Sequence, residues 1–273
     1  MNADFVINQK NSKMLPKAKK SLGQHFLTSK GILERILKCI AVGKDDRVIE
    51  IGPGPGALTK YLLVSDLVQL ILIELDDYWA DFHLLANAHN SYVKVLHLDA
   101  LRFPWDSLEG SWKIVGNLPY NVASPLMWDI VSLAPQFELC VFMVQKEVAE
   151  RVCAHPGSRA YGALSVWIQT FANTEYCFDV KPGNFSPPPK VDSAVIKFTP
   201  RLRDSNLNPD ALAKTIKVCF SQRRKQIRNI LKSNGFTNCD FVLETLGINP
   251  SARPEELSKE IFLNMSEMLF INK

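Results

Sequence analysis

The residues best suited to chemistry in this sequence form the short motif "NLPY", which follows the apolar run "KIVG". Asn117 offers an amide acceptor and donors, and Tyr120 offers a flat aromatic face. Pro119 restricts φ to about −65°, so the chain must turn there, directly after Leu118. An apolar strand that ends in this group of residues indicates a binding site. A plain proline-containing strand exit is the alternative.

A glycine-rich turn lies in "VIEIGPGPGALTKYL" (residues 48–62), between a predicted strand and a predicted helix. Gly52 and Gly54 allow a tight turn and a close approach of the backbone to a ligand. The spacing G-x-G-x-G differs from the G-x-G-x-x-G of dinucleotide folds. Pro53 and Pro55 also lack the N–H donors that a pyrophosphate would need. A ligand without phosphates therefore fits better, and an ordinary strand-to-helix turn is the alternative.

Two acidic residues also close predicted strands. Glu74 ends "LILIE" about 20 residues after the glycine turn, where an acid usually accepts from the hydroxyls of a ribose. Asp99 follows "VLHL" and could accept from the exocyclic amine of an adenine. Ligands of open α/β sheets bind at the carboxyl ends of the strands. The glycine turn, Glu74, Asp99 and Asn117 each follow or end one predicted strand, in the order of the chain. An ordinary acid before a helix is the alternative for Glu74 alone.

Apolar, β-branched runs alternate with amphipathic helical runs from residue 29 to about residue 200. This alternation predicts a doubly wound α/β fold with a parallel sheet and helices on both faces. Only short helices are predicted after about Asn208. The proline-rich "NFSPPPK" (residues 184–190) is expected to lack regular structure. We therefore expect three parts, which are a disordered basic tail (1–20), an α/β domain (21–200) and a helical, basic domain (201–273).

The net charge of +4 is distributed unevenly along the 273 residues. Residues 1–30 carry six lysines and one acidic residue, and residues 201–273 also have an excess of positive charge. Basic ends favour a polyanionic partner such as nucleic acid, and solvated surfaces are the alternative. We see no apolar run of roughly 18 residues, no secretory leader and no metal-ligand spacing. A cytoplasmic monomer without a metal and without membrane contact is therefore expected.

The segment "KVCFSQRRKQIRNILK" (Lys217–Lys232) contains six basic residues and no acidic residue. A single helix here would bring four of these residues near one face, namely Lys217, Arg224, Arg228 and Lys232. Such a face could neutralise phosphates, although a solvated face is the alternative. Lys190 could contact RNA or could instead pair with Asp192. The candidate RNA-binding residues are Lys190, Arg223, Arg224, Lys225 and Arg228.

The order of "EIGPGPG", "IELD", "LDA" and "NLPY" resembles the S-adenosylmethionine-dependent methyltransferases, and "NLPY" is similar to the motif of enzymes that methylate exocyclic amines of bases. Further segments are similar to the small-subunit ribosomal RNA adenine dimethyltransferases, namely "LGQHFL", "NFSPPPKVDSAV", "FSQRRKQIRN" and "RPEELS". This resemblance extends from about Lys19 to the C-terminus. It implies a Rossmann-like methyltransferase sheet followed by a small all-α domain that binds RNA.

The resemblance also implies an activity. Enzymes of this kind use S-adenosylmethionine to dimethylate two adjacent adenosines in the 3′-terminal hairpin of 16S rRNA, and S-adenosylhomocysteine is the product. The expected partner is therefore 16S rRNA within the 30S subunit or its precursor. The implied cofactor contacts are His25, Leu27, Gly52, Gly54, Glu74, Asp99 and Asn117. The implied catalytic residues are Asn117, Leu118, Pro119, Tyr120 and Phe185.

A physical hypothesis connects these catalytic residues. An aromatic amine is a poor nucleophile because its lone pair is delocalised into the ring. Asn117 Oδ1 and the Leu118 carbonyl would each accept an N–H of that amine and aim its lone pair at the methyl group. Tyr120 would stack on the extruded base, and Phe185 would cover the other face. Catalysis would then be mostly alignment and electrostatics.

Two other readings remain open at this point. One is a large-subunit rRNA adenine methyltransferase of the antibiotic-resistance type, which shares the core motifs. The other is a mainly non-catalytic ribosome-assembly factor, against which the intact Glu74, Asp99 and "NLPY" argue. A nicotinamide-dependent oxidoreductase is disfavoured by the spacing of the glycine turn.

Overall fold

The structure is a computed structural model that describes residues 18–19, 22–134, 136–202, 207–222 and 224–270. The predicted disordered tail, residues 1–20, lies outside these ranges except for Ala18 and Lys19. The strands within the described ranges are β1 (Phe26–Leu27), β2 (Arg47–Ile51), β3 (Gln69–Glu74), β4 (Val93–His97), β5 (Trp112–Asn117), β6 (Phe137–Gln145), β7 (Ala172–Val180), β8 (Phe185–Ser186) and β9 (Ser193–Pro200). The α-helices there are α1 (Lys30–Ile40), α2 (Thr59–Leu62), α3 (Asp77–Ala86), α4 (Ala123–Leu133), α5 (Lys146–Val152), α6 (Ala163–Phe171), α7 (Pro209–Phe220), α8 (Ile227–Ser233), α9 (Cys239–Thr245) and α10 (Lys259–Phe270).

A seven-stranded sheet with the order β4-β3-β2-β5-β6-β9-β7 forms the centre of the fold. The five strands from β4 to β6 are parallel, as the alternation predicted. β9 is antiparallel to both β6 and β7, so the sheet is mixed rather than wholly parallel. The connection from β7 to β9 contains only a 3-10 turn and β8, and a hairpin-like return of this kind makes neighbouring strands antiparallel.

Apolar side chains cover both faces of the sheet, which confirms the predicted α/β class. One face, with Ile49 and Ile114, packs against α4 and α6, and the same apolar cluster continues into α7 to α10 through residues such as Leu212 and Phe262. The opposite face, with Val48 and Val115, packs against α1 and α2. The helices predicted after residue 208 therefore share a core with the sheet, and the boundary near residue 200 stays a prediction.

Several local predictions differ from the structure. The basic segment is not one helix, because α7 ends at Phe220 and α8 begins at Ile227, so the expected common basic face does not form. "NFSPPPK" contains regular structure after all, since β8 pairs with β1 across 160 residues of chain. The helix predicted after the glycine turn is only Thr59–Leu62, because the turn extends to Leu58. The helix α5 was not predicted.

Two absences concern only the residues given above. No helix among them is long and apolar enough to cross a membrane. Within the same ranges, no cluster of three or more His, Cys, Asp or Glu side chains is arranged to hold a metal ion.

Candidate active site

A cavity of about 260 Å³ opens at the carboxyl ends of β2, β3 and β5, beside the loop that follows β4. We call it the strand-end cavity. Most of the residues predicted to bind a ligand line it, namely His25, Gly52, Gly54, Glu74, Asp99, Asn117, Leu118, Pro119 and Tyr120. Sequence reasoning missed other lining residues, including Gly23, Gln24, Leu98, Asn121 and Leu126. The fold therefore brings the glycine turn, both acids and "NLPY" to one place.

Gly54 lies in the middle of the glycine turn and is held from two sides. Its N–H donates to Glu74 Oε2 at 2.9 Å, and its carbonyl accepts from His83 Nε2 at 2.8 Å. Its φ is +51°, and a Cβ at this position would lie 3.0 Å from the ring of Phe26. Any larger residue would be both strained and crowded. The hydrogen bond to Glu74 and the packing of Phe26 therefore determine the shape of the turn.

Glu74 is buried and accepts three backbone hydrogen bonds. Oε1 accepts from the N–H groups of Leu75 and Asp76, both at 2.9 Å, and Oε2 accepts from Gly54. Burial raises the pKa of Glu74, and the three N–H donors oppose that rise. A carboxylate has about four acceptor sites, so one remains after these three bonds. Glu74 is therefore rigidly held and can still accept from a hydroxyl in the cavity.

Asp99 caps the 3-10 turn at Ala100–Arg102, with Oδ1 accepting from the Leu101 N–H at 3.0 Å. This bond orients the carboxylate through one oxygen. The other oxygen is then available to a donor in the strand-end cavity, which Asp99 lines. The geometry suits the recognition of an amino group.

Residues 22–26 line one side of the cavity and are tied to three distant parts of the chain. The His25 carbonyl accepts from Asn117 Nδ2 at 2.8 Å, and its Nδ1 donates to the Pro187 carbonyl at 2.8 Å. Gln24 Nε2 donates to Asp76 Oδ2 at 2.8 Å. Asp76 is one of the residues that sequence reasoning missed. It lies inside the quoted motif "IELD", but no local signal links it to Gln24.

The "NLPY" motif joins β5 to α4. The Leu118 N–H donates to the Met143 carbonyl at 3.0 Å, which extends the pairing with β6. The Pro119 carbonyl accepts from the N–H groups of Val122 and Ala123 and so opens α4. Because the Asn117 amide donates its N–H to His25, Oδ1 is the end that remains to accept from a ligand.

Tyr120 is held at both ends of its side chain. Its hydroxyl shares a 2.8 Å hydrogen bond with Oγ of Ser193, which is fully buried in β9. Its ring stacks on the His25 imidazole, with 5.8 Å between ring centroids. Burial raises the pKa of Tyr120, while the bond with Ser193 opposes that rise, so the hydroxyl keeps its proton. Ser193 is a second residue that sequence reasoning missed.

Two predicted site residues lie elsewhere. Leu27 and Phe185 face each other in the β1–β8 pair and are 8% and 5% exposed. Both belong to the apolar cluster on the α1 side of the sheet, and neither lines the strand-end cavity. The Leu27 side chain and the Phe185 ring therefore lie in the core, and their contacts with a cofactor and with a base stay predictions. The β1–β8 pairing turns both side chains into the core.

The predicted RNA-binding residues have different environments. Arg224 and Lys225 are exposed in the turn between α7 and α8, while Arg223 lies outside the described residues. Arg228 makes two hydrogen bonds to Asp240, at 2.7 and 3.0 Å, so its guanidinium already has a structural partner. Lys190 is exposed, and Asp192, its expected alternative partner, instead accepts from Lys181 at 2.6 Å.

An unpredicted carboxyl group lies beneath the glycine turn. Glu50 of β2 is 3% exposed, and its Oε2 accepts from Thr59 Oγ1 at 2.7 Å. Burial raises the pKa of Glu50 to about 8, and the nearby Glu74 contributes to the rise. Glu50 is therefore mostly neutral at pH 7, and its hydrogen bond with Thr59 joins β2 to α2.

Comparison with known proteins agrees with this geometry. The profile of the family described as "Ribosomal RNA adenine dimethylase" matches residues 15–270. The chain belongs to that family. Two relatives named "Ribosomal RNA small subunit methyltransferase A" come from Nitratidesulfovibrio vulgaris and Lawsonia intracellularis. They are 51% and 50% identical to this chain over 93% and 91% of its length, and the matches cover 97% and 93% of their own.

Two solved structures share the fold of this chain. A dimethyladenosine transferase from Plasmodium falciparum has a TM-score of 0.77 and 29% sequence identity, over 88% of this chain and 96% of that one. The 23S rRNA methyltransferase ErmE has a TM-score of 0.68 and 23% identity, over 89% of this chain and 99% of that one. The second likeness concerns the fold alone. The family predicted from the motifs is thus confirmed.

Proposed function

We propose that the protein dimethylates the exocyclic 6-amino groups of two adjacent adenosines in the 3′-terminal hairpin of 16S rRNA, using S-adenosylmethionine. The observation that carries this proposal is the joint placement of Glu74, Asp99 and Asn117 around one cavity, in a member of the adenine dimethylase family. The reaction would take place in the cytoplasm, on the 30S subunit or its precursor, during small-subunit biogenesis. We expect the enzyme to act as a monomer.

The strand-end cavity fits S-adenosylmethionine through its donors and acceptors. Glu74 would accept from the ribose diol, and Asp99 would accept from the adenine amine. The glycine turn would lie against the methionine part, where no phosphate has to be bound. When bound, S-adenosylmethionine supplies a methyl group on a positively charged sulfur, which is a strong electrophile.

The protein's own part in the transfer would be alignment. Asn117 Oδ1 and the Leu118 carbonyl would hold the adenine amine, and the bond from Asn117 to His25 fixes which end of the amide accepts. Tyr120, backed by the His25 imidazole, would provide the stacking face for the extruded base. No general base is needed before the transfer, because the amine becomes acidic only once it is methylated. Fixed hydrogen-bond acceptors cost no reorganisation during the reaction.

Sequence relationships favour the small subunit over the large one. The relatives named for the small subunit are about half identical to this chain, whereas ErmE is 23% identical. The exposed Arg224 and Lys225 would add sequence-independent contacts to phosphates. Since Asn117, Glu74 and Asp99 are all in place, a purely structural role in assembly is the weaker candidate.

The test is methyl transfer from labelled S-adenosylmethionine to undermethylated 30S subunits, with 50S subunits and free rRNA alongside. Wild type should label two adjacent small-subunit adenosines, and Asn117→Ala should lose at least about 100-fold in kcat, the usual cost of one aligned hydrogen-bonding group. Label on large-subunit RNA would place the protein in the resistance-type class. Binding to 30S subunits without any label would favour the assembly role.

A further inference from the structure

A second cavity, of about 530 Å³, lies on the other side of α4 from the strand-end cavity. We call it the helical groove. Its volume is within the range of roughly 300–1,000 Å³ that is usual for ligand sites. It is lined by Ser124, Pro125, Trp128 and Asp129 of α4, by Arg151 of α5, by Ala160 and residues 162–164, and by Phe220 at the end of α7.

The groove contains a preformed aromatic surface. The half-buried Trp128 indole stacks on Trp167, with 3.9 Å between ring centroids and 5° between ring planes. Trp167 is 3% exposed, and its Nε1 donates to the Trp128 carbonyl at 3.0 Å. The buried ring therefore supports one face of Trp128 from below. An indole held in this way loses little conformational entropy when a planar ligand stacks on it.

Next to that indole is a carboxylate that makes no hydrogen bond or ion pair with any part of the chain that the structure describes. Asp129 is half-buried and lines the groove, and burial raises the pKa of its carboxyl group. A half-buried carboxylate without a protein partner is unfavourable unless water or a ligand supplies donors. Its two oxygens can accept from two neighbouring N–H groups.

The position of the groove also points to the RNA substrate. Val122, which precedes α4, and Leu126, in its first turn, line the strand-end cavity, whereas Ser124 and Pro125 of that turn line the groove. The two sites are thus separated by about one helix diameter, roughly 10–12 Å. Phe220 lines the groove and directly precedes the turn that carries Arg224 and Lys225. Cations that contact phosphates would therefore flank the groove.

We propose that the helical groove binds the base of a second nucleotide of the RNA substrate, which stacks on Trp128 and donates hydrogen bonds to Asp129. This inference rests on the proposed function. Sequence-specific RNA recognition commonly uses unstacked bases that lie on aromatic side chains and form hydrogen bonds through their edges. Guanine is the RNA base with two adjacent N–H donors on its Watson–Crick edge, so it matches the carboxylate best. The groove would fix which adenosines enter the strand-end cavity.

The experiment uses undermethylated 30S subunits and a 1,2-dicarbonyl reagent that modifies unpaired guanines at N1 and N2. The proteins are wild type, Asp129→Asn, Trp128→Leu and the control Asp66→Asn, whose exposed side chain precedes β3 at the opposite end of the sheet. Wild type and the control should protect one guanine near the target adenosines. Asp129→Asn and Trp128→Leu should lose that protection and bind 30S subunits about tenfold more weakly. The affinity of both for S-adenosylmethionine should be unchanged, which shows that they fold.

Three results would overturn this inference. Equal protection of every guanine by all four proteins would exclude base recognition in the groove. Weaker 30S binding by the two groove variants with no change in guanine protection would indicate a protein contact instead. Failure of the wild type to bind 30S subunits would reject the proposed function as well, whereas the first two results leave that function standing.

Discussion

The strand-end cavity has two halves that differ in how far along the chain their hydrogen bonds reach. One half, formed by β2, β3 and the loop after β4, is the part proposed to hold the cofactor, and we call it the cofactor half. The other, formed by residues 22–26 and "NLPY", is proposed to hold the adenosine, and we call it the substrate half. The cofactor half uses short connections. Gly54 and Glu74 are 20 residues apart, and Asp99 bonds to a residue 2 away. Beneath the glycine turn, the bonded residues Glu50 and Thr59 are 9 apart. The substrate half uses long ones. Asn117 and His25 are 92 residues apart, and His25 and Pro187 are 162 apart.

This difference has a structural consequence. The cofactor half is assembled as soon as two neighbouring β-α units pack, because its partners lie on adjacent strands. The substrate half needs the N-terminal segment, β5, β9 and the β8 loop to be in place together. Changes in the cofactor half should therefore affect groups that are close to one another in the chain. Changes in the substrate half should spread to several segments, because those segments hold one another.

The largest effect is expected from Glu74→Ala, in the cofactor half. It removes the proposed acceptor of the ribose hydroxyls and also the carboxylate to which the N–H groups of Gly54, Leu75 and Asp76 donate. Hydrogen bonds to charged groups contribute about 1.5–3 kcal/mol each, so the dissociation constant for S-adenosylmethionine should rise by about 100-fold. Equilibrium dialysis or calorimetry measures it, with Asp66→Asn as the matched control. An unchanged dissociation constant would remove Glu74 from the cofactor site.

The next effect concerns stability and pH. Burial raises the pKa of Glu50 to about 8 in the folded state, from the usual value of 4.5. The folded state therefore holds a proton that the unfolded chain has lost between about pH 4.5 and pH 8. Stability contributed by Glu50 is complete below this window and falls as the pH rises through it, by up to about 1.4 kcal/mol per pH unit.

Replacing the Glu50 carboxyl with an amide tests whether stability falls as the pH rises. Glu50→Gln resembles the protonated form and can still accept from Thr59, so its free energy of unfolding should fall less between pH 5.5 and pH 8.5. Urea titrations of both proteins at these two pH values measure the difference. Parallel pH profiles would show that Glu50 does not carry the proton.

The distance along the chain between hydrogen-bonded residues also explains which parts of the site could be predicted. Glu74 and Asp99 were recognisable because each ends a strand whose apolar run is visible in the sequence, and the glycine turn precedes a helix at fixed spacing. Asp76 and Ser193 were not, since their partners Gln24 and Tyr120 lie 52 and 73 residues away. No periodicity or propensity connects positions so distant. Tertiary packing decides them.

The predicted helix boundaries and the predicted direction of the Phe185 side chain differ from the structure for related reasons. Lys217–Lys232 has no proline or glycine to stop a helix, yet the chain turns after Phe220, where the Ile227 N–H donates to the Ala252 carbonyl. Phe185 was assigned to the site from its place in a motif. The pairing of β8 with β1 decides where its ring points, and this pairing was hidden by the prolines that follow it.

A smaller effect is expected where the substrate half touches the cofactor half. Asp76 accepts from Gln24 and, at 3.0 Å, from Lys19, and both hold the segment that carries His25. Lys19→Met combined with Gln24→Leu should loosen that segment and weaken S-adenosylmethionine binding by about tenfold, or about 1.4 kcal/mol. The control is Lys30→Met, which removes an exposed ion pair with Glu34. Equal affinities for the control and the double variant would mean that other contacts hold the segment, such as those of His25 with Asn117 and Pro187.

The smallest effect should come from breaking the bond between Tyr120 and Ser193. Variants that break it test whether the bond orients the Tyr120 ring, because the ring itself remains in Tyr120→Phe. Tyr120→Phe keeps the stacking face but leaves the fully buried Ser193 hydroxyl without its partner, at a cost of about 1–2 kcal/mol in unfolding free energy. Ser193→Ala should cost less, because the half-buried Tyr120 hydroxyl can reach water.

If the bond positions the ring, both variants should lower kcat by a similar factor, about threefold to tenfold, and the double variant should lower it no further. Independent, additive losses in kcat would mean that the two residues act separately, and that the substrate half is less tightly connected than its long-range hydrogen bonds indicate.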